Sequence, residues 1–182
     1  CELLRPPGAD RRVERVTRRM LLMTTNRHKL LEYARRLGAY GVAVEQRQKV
    51  DAPPPWLADW LSDDDGVLAV LSETSALFDA AEQVVPAPAH LQPLVNRTRL
   101  VMWWRAKGDP TPRRAEYVHQ IEGHADLLRR RPDRADVFAW DDVFVPSRTL
   151  MSYHQLRERG LKLSARDLVI DDLVRERLWY HR

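Results

Sequence analysis

The chain has 182 residues, 44 % of them hydrophobic, enough for one substantial core and more in keeping with a single domain than with two. Charged residues make up 31 % and sum to +4, but Asp and Glu are interleaved with the arginines, so no long basic stripe forms and a nucleic-acid partner is disfavoured. The single cysteine, Cys1, excludes a disulfide framework and a cysteine-based metal site and suits a reducing, cytoplasmic setting. No apolar run reaches the roughly 18 residues of a membrane span.

Residues 1–18 open with Pro6-Pro7-Gly8 and continue as alternating Arg and acid, which reads as a linker or N-terminal extension. A start at Cys rather than Met is expected of an excised or processed fragment. Residues 19–182 are then the folded domain. Met20-Leu21-Leu22-Met23 is wholly apolar, as in a central strand covered on both faces. Leu30, Leu31, Tyr33, Ala34 and Leu37 recur at helical spacing, with Gly38 or Gly41 as the stop. A short strand is expected at Val42–Glu45, then a Pro-rich loop with at most one helical turn over Trp56–Leu61.

A third strand is expected over Val67–Leu71, ending at Ser72-Glu73-Thr74-Ser75. Prolines 86, 88 and 93 divide residues 76–96 into two short helical pieces. Thr98–Trp104 and Ala115–His124 read as a hairpin around Lys107-Gly108-Asp109-Pro110. Val137–Trp140 and Val143–Pro146 are short extended pieces, and helices over Leu150–Arg159 and Ala165–Trp179 close the chain.

The chemistry-bearing residues cluster at element ends. A buried strand feeding a polar turn and a helix places backbone N–H groups and the positive end of the helix dipole at a sheet edge, where anions bind. Thr24, Asn26 and Lys29 sit there; equally, Asn26 is an ordinary cap and Lys29 a solvated side chain. Glu73, at the carboxyl end of a parallel strand, suits Mg²⁺ held between protein and phosphate, with Glu45 as a second ligand, or else both face water. Phe138, Trp140 and Asp141 have the composition of a base-stacking loop, or the aromatics are core. Arg166 follows Ser164 at the head of the last helix and reaches a ligand or pairs with Asp167 or Asp171. His119 and His124, five apart in a strand, lie on opposite faces and give no zinc site.

Taken in order, these segments resemble the inosine triphosphate pyrophosphatase family, which hydrolyses non-canonical purine nucleoside triphosphates. Thr24-Thr25-Asn26-Arg27-His28-Lys29 matches the family's Ser/Thr-x-Asn-x-x-Lys. Val137-Phe138-Ala139-Trp140-Asp141-Asp142-Val143-Phe144-Val145-Pro146 keeps the spacing of Gly-Phe-Gly-Tyr/Trp-Asp-Pro-x-Phe-x-Pro, and Ser164-Ala165-Arg166 stands where the family has Ser-His-Arg. The resemblance implies an elongated α/β fold: a mixed sheet with flanking helices and two lobes around a central nucleotide cleft, usually in a homodimer. Thr24, Asn26 and Lys29 would hold the phosphates of a purine nucleotide. Phe138 or Trp140 would stack on the base, and Asp141 and Arg166, with Ser164, would read its edge. Mg²⁺ at Glu73, assisted by Glu45 or Asp51, would activate water for attack next to the α-phosphorus.

The departures bear on activity. Where the family has Asp-Asp-Ser-Gly-Leu, this chain has Glu73-Thr74-Ser75-Ala76-Leu77, and a threonine hydroxyl cannot take a proton at neutral pH. Val137 and Ala139 replace both glycines of the base loop, Ala165 replaces a histidine, and the helix with a Lys-Ala pair before the third strand is missing. The expectation is a nucleotide-binding protein that has lost or altered hydrolysis. The alternatives are an active Mg²⁺-dependent pyrophosphatase and a basic RNA-binding accessory domain.

Overall fold

The computed structural model describes residues 18–48, 61, 67–105, 108–109, 111–130, 140–161 and 164–178. Residues 1–17, Asp51, Phe138 and most of the Trp56–Leu61 and Val137–Trp140 segments lie outside them. Six strands form one mixed sheet in the order β2-β1-β3-β4-β5-β6. They are β1 Arg19–Met23, β2 Ala43–Arg47, β3 Val67–Phe78, β4 Pro93–Trp104, β5 Arg113–Ala125 and β6 Phe144–Pro146. β1 runs parallel to both β2 and β3, and the remaining neighbours are antiparallel. Three helices accompany it: α1 Arg27–Gly38, α2 Tyr153–Glu158 and α3 Ala165–Leu173, the last continuing as a π-helical turn, Val174–Leu178.

The apolar run at Met20–Met23 forms the central strand expected of it, because alternate residues enter different cores. Met20 and Leu22 join Ala69, Leu71, Leu100 and Met102 under Tyr33 and Leu37 of α1 and Val169, Ile170 and Leu173 of α3. Leu21 and Met23 pack with Leu61 and Val70 on the other face. A third cluster, Leu77, Leu94, Ala125, Phe144, Tyr153 and Leu156, seats α2 at the far end of the helix-covered face. Away from β1 the opposite face turns polar, and Thr74, Arg99, Glu116 and Gln120 are exposed there. The described residues do not define a division into two lobes.

Several element boundaries differ from the sequence expectation, each for a tertiary reason. β3 does not end at Leu71: it continues past Glu73 to Phe78, because β4 pairs with it as far as Phe78↔Val95. One face of that extension meets solvent, so the apolar run that marks a buried strand stops early while the strand does not. Residues 79–92 contain no helix. The Asp79 carboxylate accepts hydrogen bonds from the amides of Ala81 and Gln83, both at 2.9 Å, and Glu82 and Leu91 take left-handed φ values of 61° and 58°. β2 lies one to two residues later than expected, and α2 begins only at Tyr153, where Ser152 and Gln155 form a capping box.

Gly123 in β5 is required by close approach rather than by φ. A Cβ there would meet the Val145 carbonyl oxygen and lie 2.7 Å from Cζ of Phe144. We expect Gly123→Ala to destabilise the protein by about 1–3 kcal/mol, because either β6 or the Phe144 ring must move. Urea denaturation is the measurement; an unchanged midpoint would show that β6 yields without cost.

Candidate functional site

The turn after β1 is built by short-range hydrogen bonds. Thr24 continues the sheet: its amide donates to the Arg47 carbonyl at 3.0 Å, and its own carbonyl accepts from Gln46 Nε2 at 2.8 Å. The Thr24 hydroxyl accepts from the Asn26 amide at 3.0 Å. Asn26 Oδ1 caps α1 by accepting from the amides of His28 and Lys29 at 2.9 and 3.2 Å. Two of the donors that open a helix N-terminus to an anion are thus taken by Asn26 itself. Lys29 reaches across to β3, where Nζ lies 3.2 Å from both the carbonyl and the Oε1 of Glu73.

Glu73 is the centre of a buried ionic network. Its side chain is 0 % exposed, and Arg166 Nε donates to both carboxylate oxygens at 3.0 Å. Arg166 Nη1 donates to Glu32 at 2.9 Å, and Arg157 Nη2 donates to the buried Asp141 at 2.8 Å. Arg157 Nε also comes within 4.0 Å of Glu32. Three carboxylates, Glu73, Glu32 and Asp141, are therefore balanced by three cations, Lys29, Arg166 and Arg157. Burial pushes the Glu73 carboxyl up, but the charges and hydrogen bonds of Arg166, together with Lys29, outweigh it and hold the carboxyl below its ordinary range. Asp141 goes the other way: burial dominates over Arg157 and Arg166 and raises it. The Tyr33 hydroxyl, buried beside Glu73, is raised by desolvation and by that negative charge, and has no well-formed hydrogen bond.

The sequence-derived candidates are only partly united. Lys29, Glu73, Asp141 and Arg166 converge, with Asn26 and Thr24 shaping the turn alongside. Arg166 pairs with neither Asp167 nor Asp171; those two are engaged by Arg36, at 2.6 Å for Asp167. Ser164 is the N-cap of α3, exchanging hydrogen bonds with Asp167. Trp140 is committed to the α2 cluster, 6.4 Å from the Phe144 ring and 6.1 Å from that of Tyr153. Glu45 stands apart. It aligns with Leu21 and through it with Val70, three residues before Glu73, so the two side chains leave opposite faces of the sheet. It pairs instead with Arg19 and Arg47. Thr74, next to Glu73 in the strand, also leaves by the opposite face and is exposed. Sequence reasoning missed Glu32, Tyr33 and Arg157. Glu32 lies three residues after Lys29 on one face of α1, a weak signal, whereas Arg157 carried none.

Magnesium, implied by the resemblance, does not fit these residues as arranged. The ion needs anionic oxygens. Glu73 has given both of its oxygens to Arg166 and one also to Lys29, and these two adjacent cations oppose a third. Among the described residues no group of three or more acids and histidines converges as a metal site. What remains open beside the network is a cavity of about 230 Å³ lined by His28, Leu31, Glu32, Arg35 and Arg157.

Glu73→Gln would leave Arg166 and Lys29 buried against a neutral amide, and we expect a loss of about 3–5 kcal/mol. Because the folded carboxyl titrates below its unfolded value of about 4.3, that difference is fully present above pH 4.3 and vanishes as pH falls through the folded pKa. Denaturation midpoints of both proteins between pH 3 and 7 check this; a gap independent of pH would mean that the carboxylate charge is not what stabilises the site.

No protein-family model and no curated protein matches the chain. Among solved structures, a HAM1 protein from Coxiella burnetii is 15 % identical at a TM-score of 0.53, with 85 % of this chain and 95 % of that one covered. A nucleoside-triphosphatase, or dITP/XTP pyrophosphatase, from Mycobacterium abscessus is 18 % identical at a TM-score of 0.45, with 86 % and 98 % covered. The mixed six-stranded sheet with its flanking helices is the fold of the Coxiella HAM1 protein, and the chain thereby has the α/β fold that its motifs, by their resemblance to the inosine triphosphate pyrophosphatases, imply.

Proposed function

We propose that this protein binds a purine nucleotide on a pyrophosphatase-like fold and has lost hydrolysis of nucleoside triphosphates. The observation that carries this reading is the state of Glu73. Hydrolysis by the family's route needs one carboxylate for the metal and another to take a proton from water. Glu73 is buried and neutralised by Arg166 and Lys29. The next residue is Thr74, whose hydroxyl is no base at neutral pH and which lies on the other face of the sheet. The carboxylates at this site, Glu73, Glu32 and Asp141, are each engaged by a cation, which leaves none of them to activate water for attack on an anhydride.

Binding is supported by what borders the network. The α1 N-terminus carries a partial positive charge, and His28, Arg35 and Arg157 line the small cavity beside it together with Leu31 and with Glu32, whose carboxylate is already paired with Arg166. A phosphate there is charge-complementary, and its oxygens would compete with Glu73 for Lys29.

The test is pyrophosphate release from ITP, XTP, dITP and the canonical triphosphates with Mg²⁺, run beside thermal melts with the same nucleotides. The expected result is no release above the protein-free rate and a nucleotide-dependent rise in Tm, a rise that Lys29→Ala and Arg157→Ala each reduce. Release of pyrophosphate would overturn the loss of hydrolysis. A Tm unmoved by any nucleotide, or moved equally in wild type and Lys29→Ala, would remove the nucleotide site.

A further inference from the structure

The end of the sheet remote from the Asn26 turn holds a second, larger cavity of about 510 Å³. Its apolar wall is made by the half-buried Leu68 and Trp104, backed by the buried Met20 at the start of β1, Ala69 near the start of β3 and Met102 near the end of β4. Since β1 and β3 are parallel and β4 antiparallel, these positions share one end of the sheet, separated from Thr24 by the length of β1, roughly 16 Å. This cavity is therefore not an extension of the Glu73 network.

Three guanidinium groups line it, those of Arg18, Arg105 and Arg177, and no carboxylate does so among the described residues. The Arg177 guanidinium lies over the Trp104 ring, 3.8 Å from its centroid; it also meets the Tyr117 hydroxyl, which donates to Glu176, while its buried Nε has no hydrogen-bond acceptor. Arg105 is held by neutral groups: Nε donates to the Asp109 carbonyl at 3.1 Å and Nη1 to that of Leu61 at 3.3 Å. Those bonds orient the group without neutralising it. Three like charges gathered beside an apolar wall repel one another, an arrangement that an anion relieves. Elsewhere in the molecule arginines facing cores or strands are matched by acids, as Arg166 is by Glu73 and Glu32, Arg36 by Asp167, and Arg99 by Glu116.

The geometry points to a ligand site for a small aromatic anion of the nucleoside-monophosphate class. The planar body would lie against the half-buried Leu68 and the Arg177–Trp104 stack, and the phosphate among the three guanidinium groups. Guanidinium planes and indole faces both accept a stacked base, and guanidinium forks suit phosphate oxygens. This inference is independent of the nucleotide site at the Asn26 turn, and the two stand or fall separately.

The experiment is isothermal titration of the intact protein with AMP, with adenosine and inorganic phosphate as separate arms, on wild type, Arg18→Gln, Arg177→Gln, Lys29→Ala and Arg148→Gln. We expect AMP to bind more tightly than either arm, to weaken as salt is raised, and to weaken roughly tenfold in Arg18→Gln and in Arg177→Gln, while Arg148→Gln, a control at an exposed arginine that lines neither cavity, binds as wild type. AMP binding lost only in Lys29→Ala would overturn the proposal and return the ligand to the Asn26 turn. Absence of AMP binding, or equal binding by wild type, Arg18→Gln and Arg177→Gln, would also overturn it. Should Arg177→Gln disturb the Trp104 packing and fail to fold, Arg18→Gln decides alone, since Arg18 precedes β1 and supports no described ion pair.

Discussion

The carboxylate of Glu73, enclosed inside a twelve-residue strand and gripped by Arg166 and Lys29, is the interaction around which the helix-covered half of this protein is arranged. Burying a carboxylate costs several kcal/mol unless its charge is matched and its lone pairs are satisfied. Here the match comes from two different helices, Lys29 from α1 and Arg166 from α3, so the acid can remain ionised only when both are docked on the sheet. The requirement propagates. Arg166 also needs Glu32, and Arg157 links Asp141 on the β5–β6 side to the same group. Six charges from β3, three helices and the turn before β6 thereby specify how the helical layer sits, while the apolar clusters beneath supply the larger, less directional share of stability.

That arrangement has a chemical consequence. An acid at the end of a parallel strand facing a helix N-terminus is the common site for a metal and a phosphate in α/β proteins. In this chain the acid is present, but its field is cancelled from within. The turn is likewise self-sufficient, with Asn26 accepting from two of the helix's first amides and Thr24 accepting from Asn26. The phosphate-loop motif and the stabilising lock are the same residues, so the pattern in the sequence does not by itself distinguish a site that waits for a ligand from one that is closed by the protein.

The helices all pack on one face of the sheet among the described residues, and this makes the parity of each strand position decisive. Glu73 and Thr74 are neighbours in sequence yet belong to different environments, one sealed under α1 and α3 and one exposed to water. Glu45 stands late in β2 and Glu73 just past the part of β3 that pairs in parallel with β1, yet three steps of register put them on opposite faces. A one-residue difference in strand position therefore decides whether two acids can share a cation.

How much of this was legible in the residues depends on range. The apolar run Met20–Met23, the Asn26 cap with its helix, and the β4–β5 hairpin are local: their periodicity and their turn chemistry specify them, and the order of the Thr-x-Asn-x-x-Lys, Trp-Asp and Ser-x-Arg motifs was enough to indicate the fold. The extension of β3 through Glu73, the loss of helix over residues 79–92, and the parity that separates Glu45 from Glu73 depend on which strand lies alongside, and no local pattern encodes a neighbour. The partners of Arg166 illustrate the same limit. From sequence, Asp167 and Asp171 were its nearest acids; in the folded chain Arg36 takes both, and Arg166 turns inward to acids 93 and 134 residues away. The sequence by itself determined which elements form and which fold they suit. Only the tertiary structure decided that the charges of these motifs neutralise one another, because a buried charge is matched by whatever the packing brings within a few ångströms.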